Sequence, residues 1–527
     1  MNRLAIAFAL ALTACGATSG TAPPPPPPTS YFPAQPVGSG SVTEAQAAAL
    51  AKAFSAAPTA SGGPCLTEPT IGARFPRNMP GALIEWSAVV AQDVYELRIA
   101  VPGQSALAVY TDRTTYRVPA AWWSAMSAGS PDTDITVAVR SAKRNGDGIT
   151  GAVAVGSSGA IRIAPADAAG AVVYWTTSNG TALKGFRLSD GGVKTVMTPA
   201  LVDAAGGGRR TGCIGCHAGS PDGQMAFFGR VESGGSSYSV EGRTSNGTAA
   251  PPAFISPSAR TALMRTEQNL PATSPGAWGA STAVVVTQRR DVNTGNRWEL
   301  AWTDLISGKS GLTVRTGDAL EPATFAWRTD ATAIVYGRTS VVVDGHPDIA
   351  PVDLWTVPFN GGVGGAAQAV AGVNDSAHSQ YYPAFSPGDA MLAFNRSQRG
   401  AQTYNAPSAE IWIAPSQGGQ PLRLDANDSN ACAGRVSPGQ TNSWPRWSPM
   451  SVPVIDRRWY WLVFSSRRRM GPDGMQRPQL YVAAIVTRKE GVNEVPAEQF
   501  PAIYLPNQPE TESNHTPTWD NFVLPPG

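Results

Sequence analysis

"GSPDGQMAFFGR", residues 219–230, is the stretch on which the fold turns. A Ser-Pro-Asp-Gly turn leads into a short apolar run, and a charged residue closes it. Three later stretches align with it without gaps: WGASTAVVVTQR (278–289), WRTDATAIVYGR (327–338) and FSPGDAMLAFNR (385–396). WSPMSVPVIDRRWYWLVFSSR (447–467) is the same unit with a longer turn. After each comes a second apolar stretch: YSVEG, RWELAWTDL, VDLWTVPFNGG, EIWIAPSQGG and PQLYVAAI. Short apolar runs bounded by Gly, Pro and Asp turns read as buried strands.

The units recur roughly every 50–60 residues, the period of propeller blades with enlarged loops. Before the first full unit, AVVYWTTSNGTALKGFRLSDGG (171–192) supplies two middle strands of a blade that lacks its innermost one. Other blades open with Pro, one residue, then an aromatic: YYPAFS, SWPRWS and the looser EPATFAW. The C-terminal HTPTWDNF (515–522) has the same opening, so it is expected to return, complete the first blade and close the ring at about six blades. Closure removes an open sheet edge. The SPDG turn, the following strand and the later LW and GG together resemble the TolB-like six-bladed β-propellers over about two-thirds of the chain. That resemblance implies a fold and leaves function open.

Composition agrees with an all-β chain. Gly (55), Pro (46) and Trp (15) are abundant in 527 residues, which is turn-rich, and the length predicts more than one domain. Lys and Arg number 40 against 38 Asp and Glu, a balance that argues against nucleic acid or acidic lipid as the main partner.

Four segments are expected. Residues 1–15, MNRLAIAFALALTAC, carry Arg3, an apolar run too short to span a bilayer and a terminal LTAC that resembles a bacterial lipobox. Cys15 would receive the lipid. Gly16 follows, with no Asp to signal inner-membrane retention, so an outer-membrane lipoprotein facing periplasm or cell surface is expected. A plain secretory signal is the alternative. Residues 16–64 read as a Pro/Ala-rich tether, with a short Ala-rich helix possible over 41–57. Residues 65–165 alternate with period two and read as an antiparallel β-sandwich. Trp86, Tyr95 and ITVAVRSAKRNGDG resemble a fibronectin type III domain. Residues 166–527 are the propeller.

Cys213, Ile214, Gly215, Cys216 and His217 spell C-x-x-C-H, the c-type haem attachment pattern. Two thiols add to the haem vinyl groups, and the next residue offers an imidazole to the iron. With 5 Cys and 4 His, a shuffled chain would contain it on the order of 4 times in 10,000. A disulfide or half of a zinc site could use the same thiols. Zinc needs further ligands, and no second CxxC or HxxxH exists; a thioredoxin-like pair wants a βαβ setting.

The repeat places His217 where later blades have Pro383 and Pro445, at the start of the innermost strand near the channel mouth. His217 is the expected proximal ligand to one covalent haem c. His515 is the expected sixth ligand, with His378 and His346 as substitutes; Met225 and Met391 fall on strands, where packing is their role. Cys65 and Cys432 are a candidate disulfide in an oxidising compartment.

No Ser-His-Asp set, phosphate loop or paired catalytic carboxylates form a defined motif. Asp222 and Asp330 sit in blade turns, where local hydrogen bonds account for them. The expected function is electron transfer by an extracytoplasmic monohaem protein with redox or envelope protein partners, no nucleic acid, and membrane contact through the anchor alone. Peroxidase-like chemistry would require a five-coordinate iron. The alternative is a haem-free binding or scaffold lipoprotein with Cys213–Cys216 as a disulfide.

Overall fold

Strands such as Met225–Glu232 and Ala283–Asp291 are apolar on both faces because both are covered, and this property sets the architecture. The computed structural model describes residues 30–206, 210–491 and 493–526. The signal segment, Cys15 and the proline run lie outside them. The chain is all-β and propeller-like. Among the described residues, no helix is long and apolar enough to cross a membrane.

Six sheets follow one another from residue 171. Their innermost strands are Asn514–Asp520, Thr211–Gly219, Gln268–Trp278, Glu321–Trp327, His378–Phe385 and Ser443–Trp447. Each inner strand neighbours the next, and the last neighbours the first, so the sheets form a ring. The first sheet joins the two ends of this region. Asn514–Asp520 pairs antiparallel with Ala171–Thr176, with Thr518 opposite Val173 and His515 opposite Trp175. The second sheet has three strands, and every other sheet of the ring has at least four.

The N-terminal region departs from the expected tether. The strand Val37–Ser39 runs parallel to Leu107–Thr111 and extends the main sheet. The helix Glu44–Ala56 is closed by a capping box between Thr43 and Gln46 and buries Ala47, Leu50 and Phe54 against Val94, Tyr110 and Val153. Folded structure is thus already present within 37–56, ahead of residue 65: the Ala-rich stretch carries an apolar face, which a tether would not.

Residues 37–163 form a seven-stranded sheet and a three-stranded sheet. The expected antiparallel order holds for most pairs, but Val37–Ser39, Thr59–Ala60 and Arg74–Phe75 join in parallel. Trp86 and Tyr95 are buried with ring centroids 5.8 Å apart. The helix Ala120–Gly129, which packs Trp123 into the core, is a further element that period-two reading misses.

One hydrophobic core runs through this region and the first and sixth sheets of the ring. It contains Trp86, Leu97 and Ile163 from the N-terminal sheets, Tyr174 and Trp519 from the first sheet, and Trp461 and Val482 from the sixth. Polar contacts reinforce the seam. Arg469 grips the Glu85 carboxylate with both terminal nitrogens, Trp461 Nε1 donates to Asp167 O at 3.0 Å, and Asn430 bonds Pro69 and Ile71. Cys65 and Cys432, with Cα atoms 5.8 Å apart, are joined as a disulfide across the same seam.

Trp519 belongs to the closing strand and is 2% exposed in this shared core. Trp519→Ala should cost about 3–5 kcal/mol, read by urea unfolding; a loss under ~1 kcal/mol would contradict closure by this strand.

Candidate functional site

Every inner strand of the ring carries the same defect. One residue in each has a positive φ: Cys216 (27°), Leu270 (51°), Thr324 (24°), Tyr382 (53°), Trp444 (60°) and Thr516 (46°). At each, pairing with the neighbouring strand slips. These are β-bulges, which re-aim side chains and leave one residue out of the ladder. The following residue is Pro at 271, 383, 445 and 517, because a bulge can spare a backbone N–H. In the second sheet that place belongs to His217, and in the fourth to Phe325. The looser EPATFAW therefore fits differently from the sequence alignment: Pro322 precedes the bulge, and Pro271 holds the equivalent place in the third sheet.

The bulge turns Cys216 away from its own ladder. Its Sγ lies 3.5 Å from His346 Nε2. Cys213 and Cys216 are both half-buried and free, and they are not bonded to each other. Burial raises both thiols, Cys216 to about 12, so both are protonated at neutral pH.

His217 is buried on the opposite side. Its Nε2 donates to the Val173 carbonyl at 3.1 Å, which places the lone pair on Nδ1, and Nδ1 has no partner. His346 Nδ1 is likewise buried without a partner. His346 reaches the axis on the hairpin of Val342–Val343 and His346–Pro347. Asp344 and Gly345 between them both have positive φ, as a type I′ turn requires. Gly345 O accepts from Thr324 N, Asp344 O accepts from Asn269 Nδ2, and Pro347 O accepts from Thr403 Oγ1, so the hairpin is tied across the channel end.

Aromatic rings surround this imidazole. Its centroid is 5.4 Å from Trp444, 6.2 Å from Tyr382 and 6.3 Å from Tyr404, and Tyr382 stacks on Trp444 at 3.7 Å. His515 is also buried. Its ring is 4.8 Å from Trp175, and Nδ1 is 3.4 Å from Tyr404 Oη. Tyr404 thus stands between His346 and His515. His378 is held apart: its Nδ1 bonds Asp375 at 2.9 Å and its side chain is 45% exposed. The structure brings together Cys216 and His346, sets His515 one ring away, and turns His217 toward the first sheet.

Burial lowers His217 and His346 to about 4 and His515 to about 3. Arg467 and His217 add repulsion at His515. All three imidazoles are therefore neutral at pH 7. Among the described residues, no group of three His, Cys, Asp or Glu side chains converges to hold a metal ion. Below the bulges the channel encloses a cavity of about 40 Å³, lined by Cys216, His217, Thr324, Arg446, Thr516 and Thr518 with apolar neighbours. Asp222 and Asp330 serve their turns: Asp222 accepts from Ser220 and Gln224, and Asp330 from Thr332.

No protein-family profile matches the chain, and no curated protein does. Among solved structures, an ancestral GH74 enzyme is similar at 12% identity and TM-score 0.36, covering 62% of this chain and 36% of its own. A prolyl endopeptidase gives 12% and 0.32, covering 64% of this chain and 48% of its own. An oligogalacturonate lyase in complex with manganese gives 13% and 0.32, covering 64% and 86%. This chain thus spans about a third and about half of the first two proteins. No chemistry passes from them to this chain.

Sequence reasoning passed over Tyr382, Tyr404, Trp444 and Arg446. The Asp-Gly turn in VVVDGHP was a readable hairpin signal, but nothing local showed that the hairpin crosses the axis.

The three histidines predict acid sensitivity. The unfolded chain binds their protons near pH 6.5 and the folded chain only near 3–4, so stability is lost as pH falls through that window. By pH 5, each imidazole should contribute a loss on the order of 2 kcal/mol. Urea unfolding at pH 7 and 5 should show a smaller drop for His346→Phe than for the unaltered protein. Equal drops would contradict a neutral His346.

Proposed function

We propose that the protein is a c-type monohaem protein of the bacterial envelope that transfers electrons. Its body is a six-bladed propeller of the TolB-like kind beside a fibronectin type III-like sandwich, tethered through a lipid on Cys15. The observation that carries the reading is the pair of free, half-buried thiols three residues apart on one inner strand, bordered by two buried imidazole nitrogens that lack partners. Orphaned polar atoms in a buried site call for a partner.

The donor set fits a covalent haem. Cys213 and Cys216 would hold it by thioethers, and neutral imidazoles are the protonation state that ligates iron. When bound, the group would supply one-electron chemistry. The chain's own contribution is position and polarity. The bulge at Cys216 presents the thiol, the rings of Tyr382, Tyr404 and Trp444 exclude water, and burial keeps the imidazoles uncharged. The axial cavity, at about 40 Å³, is far below the ~300 Å³ or more of cofactor pockets, so it would not itself hold the macrocycle. His217 would give up its bond to Val173 O to serve as a ligand. His346, already beside Cys216, would serve without that cost, and His515 would follow through Tyr404.

The alternative is a haem-free scaffold or binding lipoprotein. The small axial cavity and the committed Nε2 of His217 favour it. In either reading the Cys65–Cys432 bond would pin the two regions together in an oxidising compartment.

Protein exported alongside haem-ligation machinery should show a reduced α-band that survives acid–acetone extraction. The Cys213→Ser, Cys216→Ser double variant should lose it. Absence of the band from the unaltered protein would overturn the cytochrome reading in favour of the scaffold.

A further inference from the structure

The axial cavity has one charged residue, Arg446, in its lining. Its polar lining is Arg446, the hydroxyls of Thr324, Thr516 and Thr518, the Cys216 thiol and His217. No carboxylate lines it. Arg446 donates from Nη1 to Pro445 O at 3.0 Å and Pro383 O at 3.4 Å, and its guanidinium lies 6.0 Å from the Trp444 ring centre. Nε and Nη2 have no acceptor among the described residues, and Arg446 makes no ion pair there.

The charged and titratable groups facing Arg446 are few. Asp520 is the carboxylate that acts on it electrostatically, but Asp520 is outside the lining and accepts from Gly219 N at 3.2 Å. Burial raises Asp520 and draws Arg446 down to about 10. His217, at about 4, brings no charge at neutral pH. The Arg446 guanidinium is partly exposed, and no carboxylate among the described residues bonds it directly, so two of its nitrogens are open to a small anion that reaches the cavity.

The threonines point the same way. Thr516 Oγ1 is buried with no partner. Thr324 Oγ1 accepts from Tyr382 N at 3.4 Å, which leaves its proton free to donate. Thr518 donates to Val173 O at 3.4 Å. The cavity is therefore rich in unspent donors. A volume of about 40 Å³ admits a few waters or one monatomic ion and excludes sulfate-sized or organic anions together with their hydration.

We propose that the channel cavity binds one monovalent monatomic anion of the halide class, held by the Arg446 guanidinium and the hydroxyls of Thr516 and Thr324. The site depends on no thioether and stands apart from the haem reading. The anion neutralises the Arg446 cation of this lining and braces the fifth and sixth inner strands, through Pro383 and Pro445, against the closing strand.

Crystals of the mature protein grown in sodium bromide, measured at the bromine absorption edge, test it. An anomalous peak between Arg446, Thr324 and Thr516 is expected, retained in Arg446→Lys and lost in Arg446→Gln. In solution, the melting temperature should rise in chloride or bromide relative to gluconate at equal ionic strength, and Arg446→Gln should abolish that difference. Ordered water alone in the cavity of the unaltered protein, with no halide-specific rise, would overturn the proposal. If Arg446→Gln fails to fold, the unaltered crystals and the Arg446→Lys variant decide.

Discussion

The pairing of Asn514–Asp520 with Ala171–Thr176 is the contact on which the structure rests. The two segments are more than 300 residues apart, and their union turns a row of sheets into a ring. Without it, Ala171–Thr176 would present an open edge, and the inner strands would have no common axis. The same pairing brings Trp519 into the core shared with the N-terminal sheets and sets His515 against Trp175. Long-range closure of this kind is slow to form, because loop entropy is lost before the contacts are gained. The seam between the N-terminal region and the sixth sheet, with its disulfide and the Arg469–Glu85 pair, ties that region to the sheet beside the closure.

A closed ring makes the repeated bulge consequential. One bulge would be a local irregularity; six at one level put six chosen residues around one axis. Four of the sheets follow the bulge with proline and two with other residues, and the second sheet spends this place on a Cys-His pair. The hairpin carrying His346 then closes the end of the channel over Cys216. The result is a cluster of thiol, imidazole and aromatic rings in which charge is disfavoured, with the Arg446 guanidinium in the adjoining cavity. Electrostatics in such an interior are strong, so the protonation state of each imidazole is set by burial more than by neighbours.

Much of the fold was legible because the repeat is written as turn, apolar strand and polar end, and GSPDGQMAFFGR and FSPGDAMLAFNR align without a gap and share five of twelve residues. The Pro-x-aromatic opening of HTPTWDNF was readable as an inner strand for the same reason. The bulge was not readable from Pro322, because proline at that position precedes the slip, while Pro271 in NLPATS lacks the aromatic that marks the others. The Ala-rich composition of 41–57 hides the apolar face of Leu50 and Phe54, so a packed helix there is not legible as part of the folded region. At the site, C-x-x-C-H singles out Cys213, Cys216 and His217, but strand geometry separates them: Cys216, on the bulge, lies against His346, and His217 bonds the first sheet. No local pattern could announce His346, since its place depends on where a hairpin from the fourth sheet comes to rest.

The central claim is that the bulged strand Thr211–Gly219 holds a covalent group through its two thiols. The mass of the tryptic peptide Thr211–Arg230, taken from protein exported with haem-ligation machinery, tests it most directly. The account predicts a peptide heavier by one haem, attached through both cysteines. A peptide at its bare mass, with both thiols open to alkylation, would contradict it.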